Sequence, residues 1–367
     1  MNKFMDKSIE VDCLQTVEDF DRLENDWLRI HRESPQSGLF NSWYWRRLWW
    51  EHYGDIGELF IVVAKVNGVV EGIAPLYRLT TTALKFAQAD TIRFIGCGGN
   101  TSPDDLDVII NPKAGESVID AITTYIMGLK EVGRLQLSDL PEHSPFLKAI
   151  LNHVAKAGWS IPLLQNQPRR VQTLSNTIAA YEKTISRNSR KQRKRRRKRL
   201  TEAGEYKYHL CRTPEEVEMA FEELATLHQT RHASKGEQGS FGSERYRKFH
   251  LALMKEAMKR DELRLYVLVL NEETVGIEYA YFCNRRLMFF QNGFNPKFES
   301  LSPGHLLMSH VIDESIKEGA ESMDLLKGDY EYKASYAKEQ VLSVSVDLWR
   351  SQLMTMANRA VRSIRAA

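Results

Sequence analysis

Cysteine is scarce in this sequence, and its spacing excludes two classes of protein. The four cysteines, Cys13, Cys97, Cys211 and Cys283, lie far apart, form no CxxC pair and have no histidine pair near them. A disulfide-stapled scaffold needs a denser cysteine framework, and a structural zinc site needs cysteine and histidine pairs at short spacing. We therefore expect reduced, mostly buried thiols and no metal cofactor.

Long apolar runs are also missing. The first thirty residues hold no stretch that could act as a signal peptide, and no segment of 18 consecutive apolar residues occurs in the chain. The sequence therefore predicts an intracellular, cytoplasmic protein without a membrane span. A peripheral position on the inner face of the membrane is the alternative, because an anionic lipid surface attracts basic segments.

Positive charge is confined to one short segment. The formal net charge is +3, yet the segment RKQRKRRRKR at 190–199 holds nine cations, so the rest of the chain carries a net charge of −6. A protein that binds polyanions over a broad surface spreads its Lys and Arg residues over a whole face. The sequence therefore indicates one local basic element in an otherwise acidic protein.

The basic segment lies in a predicted helix. Residues 185–203 contain neither Pro nor Gly, Ser189 and Gln192 have the spacing of a capping box, and Gly204 is a helix stop. At 100° per residue the cations cover every face, which leaves little apolar stripe for packing. We expect this helix to be a solvated or acid-paired linker, or to bind an anionic partner, with nucleic acid and lipid phosphates both open.

The order of predicted elements repeats along the chain. Residues 8–165 and 205–345 each open with a short strand and an acidic helix, continue into an aromatic helix, and then turn to strands, a helix and more strand. With 367 residues available, this order predicts two α/β domains in tandem, each built on a mixed sheet. The predicted division is 1–165 for the first domain, 166–204 for the linker and basic helix, 205–345 for the second domain, and 346–367 for a C-terminal basic amphipathic helix.

Aromatic residues concentrate in one predicted helix that follows Phe40. They are Trp43, Tyr44, Trp45, Trp49, Trp50 and Tyr53. Because they cover most of the helix, they indicate core packing between layers rather than a stacking platform for sugars or bases. We expect most of these rings to pack in the core, with one or two tryptophans left for a glycan groove.

Five segments of the second half resemble the GNAT superfamily of N-acyltransferases. They are a basic helix ending at Gly204, LHQTRHASKG (227–236), VGIEYAYF (275–282), NGFNPKFESLSPGHLL (292–307) and MDLLKGDYEYKASYA (323–337). The closer resemblance is to the acetyltransferase domain of proteins associated with bacterial cellulose and exopolysaccharide synthesis, a group related to Fem-type peptidoglycan aminoacyltransferases. It implies two tandem GNAT-like domains joined by the basic helix. The first domain lacks the GxxxYK ending and is expected to have no chemistry of its own.

The resemblance implies transfer of an acetyl or other acyl group from a coenzyme A thioester to an amine. Such a reaction needs a general base, and Glu278 interrupts an apolar and aromatic strand on which GNAT enzymes commonly carry a Glu. Burial there would raise the pKa of this carboxyl into a range suited to a base. An edge-strand position facing solvent is the alternative.

Anion binding is predicted where the last long helix begins. Ser302 is placed as its N-cap, Pro303 in its first turn, Gly304 where a ligand can approach the backbone, and His305 as base, orienter or phosphate contact. On the resemblance this segment replaces the RxxGxG/A phosphate loop, which the sequence lacks. A capped structural helix is the alternative.

The densest polar cluster follows the next strand. On the resemblance, its D…G…YK signature assigns Tyr332 to protonate the departing thiolate, Asp324 and Lys333 to a positioning pair, and Lys333 also to a phosphate or carboxylate. Contacts to the acceptor are predicted for Arg231, Asn292, Lys327 and Asp329. A buried structural pair of Asp324 with Lys333 is the alternative.

Three functions remain open at this stage. The first is an acyl-CoA-dependent N-acyltransferase acting on a small-molecule or glycan amine, with surface polysaccharide synthesis as the inherited context. A Fem-type transferase would instead take its acyl group from aminoacyl-tRNA, with the basic helix on RNA phosphates. A non-catalytic scaffold would hold anionic lipid or nucleic acid through that helix. The sequence leaves the oligomeric state open.

Overall fold

The computed structural model describes residues 8–34, 38–84, 87–101, 103–154, 158–233, 236, 239–328 and 330–350. The chain forms two compact units. The first unit runs to Gln167 and takes up the chain again from Leu342, and the second is Pro168–Val341. The predicted fold class, two α/β domains with mixed sheets, is confirmed.

The chain reaches the second unit through twelve regular elements. They are β1 (Ile9–Leu14), α1 (Val17–Arg22), α2 (Glu24–Glu33), α3 (Trp43–Tyr53), β2 (Glu58–Val66), β3 (Val69–Leu84), β4 (Ala87–Phe94), β5 (Ile109–Ile110), α4 (Glu116–Gly128), β6 (Val132–Pro141), α5 (Pro145–Val154) and β7 (Ser160–Thr173), the last of which ends in the second unit.

The second unit repeats this order with longer helices. Its elements are α6 (Ile178–Thr184), α7 (Arg187–Ala203), β8 (Tyr206–Leu210), α8 (Pro214–Ala233), α9 (Glu244–Lys259), β9 (Leu263–Leu270), β10 (Glu273–Cys283), β11 (Arg286–Phe294), α10 (Pro303–Lys317), β12 (Ser322–Lys327) and β13 (Glu339–Trp349), the last of which ends in the first unit. Single turns of 3-10 helix precede α3, α9 and α10, and another, Glu331–Ser335, follows β12.

The sheet of the first unit is antiparallel except at one pair. Strands β1 to β4 form a meander, β6 joins β4 in parallel, and β13 closes the order antiparallel to β6. The closing strand therefore comes from the far end of the chain. Val346–Trp349, which the sequence assigned to a C-terminal helix, belong to β13, and residues 351–367 lie outside the described part of the chain.

The aromatic helix α3 forms part of the core, as its spacing predicts. Ser42 begins it, because its hydroxyl accepts a hydrogen bond from the Trp45 backbone N–H at 3.3 Å. Trp45, Trp49 and Tyr53 are at most 1% exposed. Burying rings of this size contributes much of the apolar area that stabilises the unit.

The sheet of the second unit has the same pattern. Strands β8 to β11 form an antiparallel meander, β12 joins β11 in parallel, and the end of β7 pairs antiparallel with β12. The parallel pairing covers only Arg286–Met288 against Ser322–Asp324, although both strands continue beyond it. The sheet is therefore open between the later residues of β11 and β12.

Helix α7 carries the basic segment and lies within the second unit. Its N-cap is Ser186, whose Oγ accepts from the Ser189 N–H at 3.0 Å, so the predicted capping box at Ser189 and Gln192 is wrong by one turn. Gly204 ends the helix at a φ of 146°, as predicted. No helix in the described ranges combines the length and apolarity needed to cross a membrane.

Candidate functional site

A pocket of about 520 Å³ opens where β11 and β12 separate. We call it the site pocket. Strands β10 and β11, the last turns of α8, the end of β12 and the segment after β12 supply its walls. The polar lining residues are His228, Arg231, His232, Ser240, Glu278, Gln291, Asn292, Lys327, Tyr330, Tyr332 and Lys333.

Glu278 lies at the buried end of this pocket. It sits on a central strand, paired with Tyr266 of β9 and Asn292 of β11, and is 1% exposed. Its Oε2 has no hydrogen-bond partner among the described residues. Burial raises the pKa of the carboxyl well above its ordinary value, and a hydrogen bond from Asn292 opposes the shift only in part. The edge-strand alternative for Glu278 is therefore excluded.

Two histidines line the pocket from α8. His228 is 4% exposed, and its ring centroid lies 4.3 Å from that of His232 one turn later. Burial, followed by the neighbouring His232, lowers the pKa of His228 to about 4, so this ring is neutral near pH 7. Neither histidine was among the site residues predicted from the sequence. Their i, i+4 spacing around Arg231 was the available signal.

Tyr332 stands at the mouth of the site pocket. Its ring is stacked on Tyr330 with centroids 6.3 Å apart and planes at 15°. Both rings keep substantial exposure, 42% for Tyr332 and 64% for Tyr330. Burial of its hydroxyl, with the nearby Glu278 carboxylate adding to the effect, raises the pKa of Tyr332 to about 12. The hydroxyl is therefore a proton donor near pH 7.

The predicted pairing of Asp324 with Lys333 is wrong, because the structure gives each group other partners. Lys333 Nζ donates to the carbonyls of Leu325, Leu326 and Lys327 at 2.7, 3.0 and 2.7 Å. Those bonds use all three donors of an ammonium, which leaves none for a phosphate. The lysine instead holds the end of β12 in place.

Asp324 belongs to a buried ion cluster beneath the site pocket. It is 0% exposed, pairs with Arg286, lies 3.5 Å from Arg169 Nη1, and accepts from the Leu326 N–H at 2.7 Å. Leu326 has a φ of 55°, a conformation that side chains rarely adopt. Asp324 and Lys333 therefore hold this unusual turn from its two sides.

The predicted phosphate cradle at the start of α10 has a different arrangement. Ser302 precedes the helix at a φ of 59° and makes no side-chain cap, so the N-cap bond expected of its hydroxyl is absent. His305 Nδ1 lies 2.6 Å from the Tyr336 hydroxyl, with the rings stacked. Burial lowers the pKa of His305 to about 4. Ser302, Pro303 and Gly304 line neither of the two pockets described here.

A second pocket of about 360 Å³ lies between α7, α10 and the turn after β12. We call it the α7 pocket. Its lining residues are Ile185, Asn188, Ser189, Gln192, Arg193, Arg196, His305, Ser309, Glu331, Tyr332, Ser335 and Tyr336. Tyr332 lines both pockets. His305 lines the α7 pocket and is not part of the lining of the site pocket, which holds Glu278.

The basic helix is partly buried and pairs with an acidic residue on one side, in keeping with the acid-paired form of the expectation. Arg193 is 4% exposed, donates to the Ser309 carbonyl at 3.0 Å and pairs with Asp313 of α10, which also pairs with Arg197. Leu200 is buried as well. Lys191, Lys194, Arg195 and Lys198 face outward and are exposed.

The structure thus gathers six predicted site residues around one pocket, which are Glu278, Tyr332, Lys333, Arg231, Asn292 and Lys327. Asp329 lies outside the described residues. The segment 232–243 is described only in part, with Ser240 in the lining of the site pocket. Among the described residues, no group of three His, Cys, Asp or Glu side chains is placed to hold a metal ion.

Comparisons with known proteins agree with this geometry. Residues 187–334 match the family model of the acetyltransferase (GNAT) domain. The crystal structure of FemX is similar with a TM-score of 0.59 at 10% identity, covering 88% of this chain and 95% of that one. The C-terminal domain of a putative lysylphosphatidylglycerol synthetase from Agrobacterium fabrum gives 0.54 at 11% identity, covering 95% of each chain.

A conserved protein of unknown function from Bacteroides thetaiotaomicron gives a TM-score of 0.54 at 12% identity, covering 93% of this chain and all of that one. None of the curated proteins matches the sequence. At these identities structural likeness shows the fold alone, whereas the family model covers every residue that lines the site pocket and most of those that line the α7 pocket. Residues 187–334, which are less than half of the chain, therefore match a GNAT-type acetyltransferase domain.

Proposed function

We propose that this protein is an N-acyltransferase that moves an acyl group from a coenzyme A thioester to an amine in the site pocket. The observation that carries the proposal is the buried Glu278 carboxyl, whose Oε2 has no hydrogen-bond partner among the described residues. A buried acid in that state costs stability, and such a cost is typical of catalytic groups.

The residues present fit this donor. A bound acyl thioester supplies an activated carbonyl carbon and a thiolate leaving group. Transfer forms a C–N bond and breaks the C–S bond, so the amine loses one proton and the sulfur gains one. In this proposal Glu278 takes the first proton and the protonated Tyr332 hydroxyl gives the second, which is supported by their shared position in the lining of the site pocket. Asn292 orients the Glu278 carboxyl through its hydrogen bond.

The test is release of free thiol from acetyl-CoA in the presence of amines, with amino sugars and amino acids as the first two classes. Amine-dependent release, with an acylated amine detected by mass spectrometry, supports the proposal. The amino sugar arm follows from the polysaccharide context of the sequence resemblance. Absence of both products, together with no effect of acetyl-CoA on thermal unfolding, would rule out this donor.

Tyr332 gives a second test of the mechanism. Tyr332→Phe is expected to lower kcat about tenfold, which is below the usual range of general-acid effects because a thiolate leaves readily even without a proton. The matched control is Tyr330→Phe, which removes a hydroxyl from the stacked neighbouring ring. Steady-state kinetics should separate the two variants. Equal losses in both would show that the hydroxyl of Tyr332 has no special part in transfer.

The outward face of α7 favours one second candidate, an aminoacyl-RNA donor. Lys191, Lys194, Arg195 and Lys198 form an exposed basic face that could follow a phosphate backbone. Transfer of an amino acid from charged tRNA, steeply inhibited by salt, with no turnover of acetyl-CoA, would select this candidate.

A further inference from the structure

Arg193 has buried donors that the protein does not satisfy. Its Nη2 binds Ser309 and Asp313, but its Nε and Nη1 have no hydrogen-bond partner among the described residues. The side chain is 4% exposed and lines the α7 pocket. Buried donors left unpaired are uncommon in folded proteins, because each loses its hydration without compensation. Such donors indicate a missing acceptor.

Arg196 adds a second cation on the same wall of the pocket. It follows Arg193 by three residues, so the two side chains share one face of α7. Arg196 is partly buried, and burial lowers its pKa, with no neighbouring carboxylate among the causes. Ser189 and Gln192 add further polar groups to the lining. The one carboxylate in the lining is Glu331, which is an exposed residue.

We propose that the α7 pocket binds a phosphate group of the acyl donor through Arg193 and Arg196. This inference rests on the proposed function. Guanidinium groups bind phosphate through several charge-assisted hydrogen bonds, and the unpaired donors of Arg193 provide them at a buried position. The donor would thus be held by side chains of the basic helix rather than by the backbone at the start of α10, whose Ser302–Gly304 segment lies outside the pocket lining.

The position of this pocket relates it to the site. Tyr332 separates the two pockets and lines both, so an anion on Arg196 would lie on one side of Tyr332 while Glu278 lies on the other. A ligand with a phosphate at one end and a reactive thioester at the other matches that order. The inner face of the basic helix then has a binding role that its outer face does not share.

The experiment compares two neighbouring arginines of α7, of which Arg196 lines the α7 pocket and Arg195 is exposed outside it. Calorimetric titration of the full chain with coenzyme A is expected to show binding about tenfold to a hundredfold weaker for Arg196→Gln than for the unaltered protein. Arg195→Gln removes the same charge from the exposed face and should change the affinity less than threefold. Pantetheine, which lacks the phosphates, should bind the unaltered protein and Arg196→Gln equally.

Arg193 requires a gentler change because it also pairs with Asp313. Arg193→Lys keeps a cation for that carboxylate while removing the two unpaired donors, and it is expected to weaken coenzyme A binding without altering pantetheine binding. Equal losses in Arg195→Gln and Arg196→Gln would overturn the proposal, since they would reflect general electrostatics. So would undiminished coenzyme A affinity in Arg196→Gln and Arg193→Lys.

Two further probes separate this proposal from the proposed function. Inorganic pyrophosphate that binds the unaltered protein and is lost in Arg196→Gln would support the anion site even if no amine is acylated. The contrary outcome has two parts. Bulk tRNA binds and is weakened equally by Arg195→Gln and Arg196→Gln, and neither coenzyme A nor pyrophosphate binds. That outcome would contradict a specific site in the α7 pocket. Measurement at two salt concentrations distinguishes these cases.

Discussion

Glu278→Gln is expected to lower kcat of acyl transfer by about 10²- to 10⁴-fold, the usual contribution of a general base. The amide keeps the shape of the side chain and its contact with Asn292, but it cannot accept a proton from the amine. Transfer by the unaltered enzyme should rise with pH through a pKa well above the ordinary carboxyl range, because burial raises that of Glu278. The measurement is the pH dependence of kcat/KM for both proteins.

The control for this substitution is Glu272→Gln. Glu272 lies exposed at the turn between β9 and β10, so the change removes a carboxylate without touching the site pocket. Its kinetics should be unchanged. A Glu278→Gln enzyme that retains full activity would remove Glu278 from the mechanism and leave Tyr332 and the histidines of α8 as the groups to test.

The same substitution should not destabilise the protein. The folded pKa of Glu278 lies above its unfolded value, so the folded state holds the proton to higher pH than the unfolded chain does. The resulting stabilisation is complete below the unfolded pKa of about 4.3 and is lost as pH rises through the folded pKa. A glutamine at position 278 does not titrate, so the free energy of unfolding of Glu278→Gln should depend less on pH. Denaturant titrations between pH 4 and pH 8 measure the difference.

Glu278 was predictable from the sequence for a local reason. A single carboxylate within an apolar strand must either face solvent or be buried at a cost, and the flanking hairpins place this strand inside a meander. His228 lacked such a signal. Its helix carries polar residues on several sides, and only the packing of α8 against β11 shows which of them reach the pocket.

The strand that closes each sheet and the partners of Lys333 depend on contacts that local sequence patterns do not encode. Strand β13 pairs with β6 from more than 200 residues away, as Trp349 opposite Arg134 shows. Lys333 binds carbonyls that converge only because Leu326 takes a left-handed conformation. The sequence signature selected Asp324 and Lys333, but their partners could be identified only from the structure.

The basic helix shows the same limit. Cations on every face indicated a helix that is solvated or paired with anions, but nothing in the local pattern distinguishes Arg193 from Arg195. The distinction arises from Asp313, which lies 120 residues away and turns one side of α7 toward α10. A run of charged residues therefore predicts that the helix has an exposed charged face, but it does not predict which of the charged side chains are buried and paired.

Asp324→Asn should reduce the free energy of unfolding by roughly 3 kcal/mol, because it leaves Arg169 and Arg286 without their shared carboxylate. That value is at the low end for a broken buried ion pair, since the Arg286 side chain keeps 29% exposure. The matched control is Asp261→Asn, which breaks an exposed pair with Arg212 and should cost less than about 1 kcal/mol. Chemical denaturation measures both.

Asp324→Asn also separates a structural role from a catalytic one. If Asp324 acts only by holding the turn at Leu326, ligand-saturated enzyme below its unfolding transition should keep most of its kcat. Preserved stability with a large fall in kcat would instead support the positioning role in the reaction that the resemblance assigned to this carboxylate. The expected result is the reverse of that for Glu278, since both oxygens of Asp324 have partners, whereas Oε2 of Glu278 has no hydrogen-bond partner among the described residues.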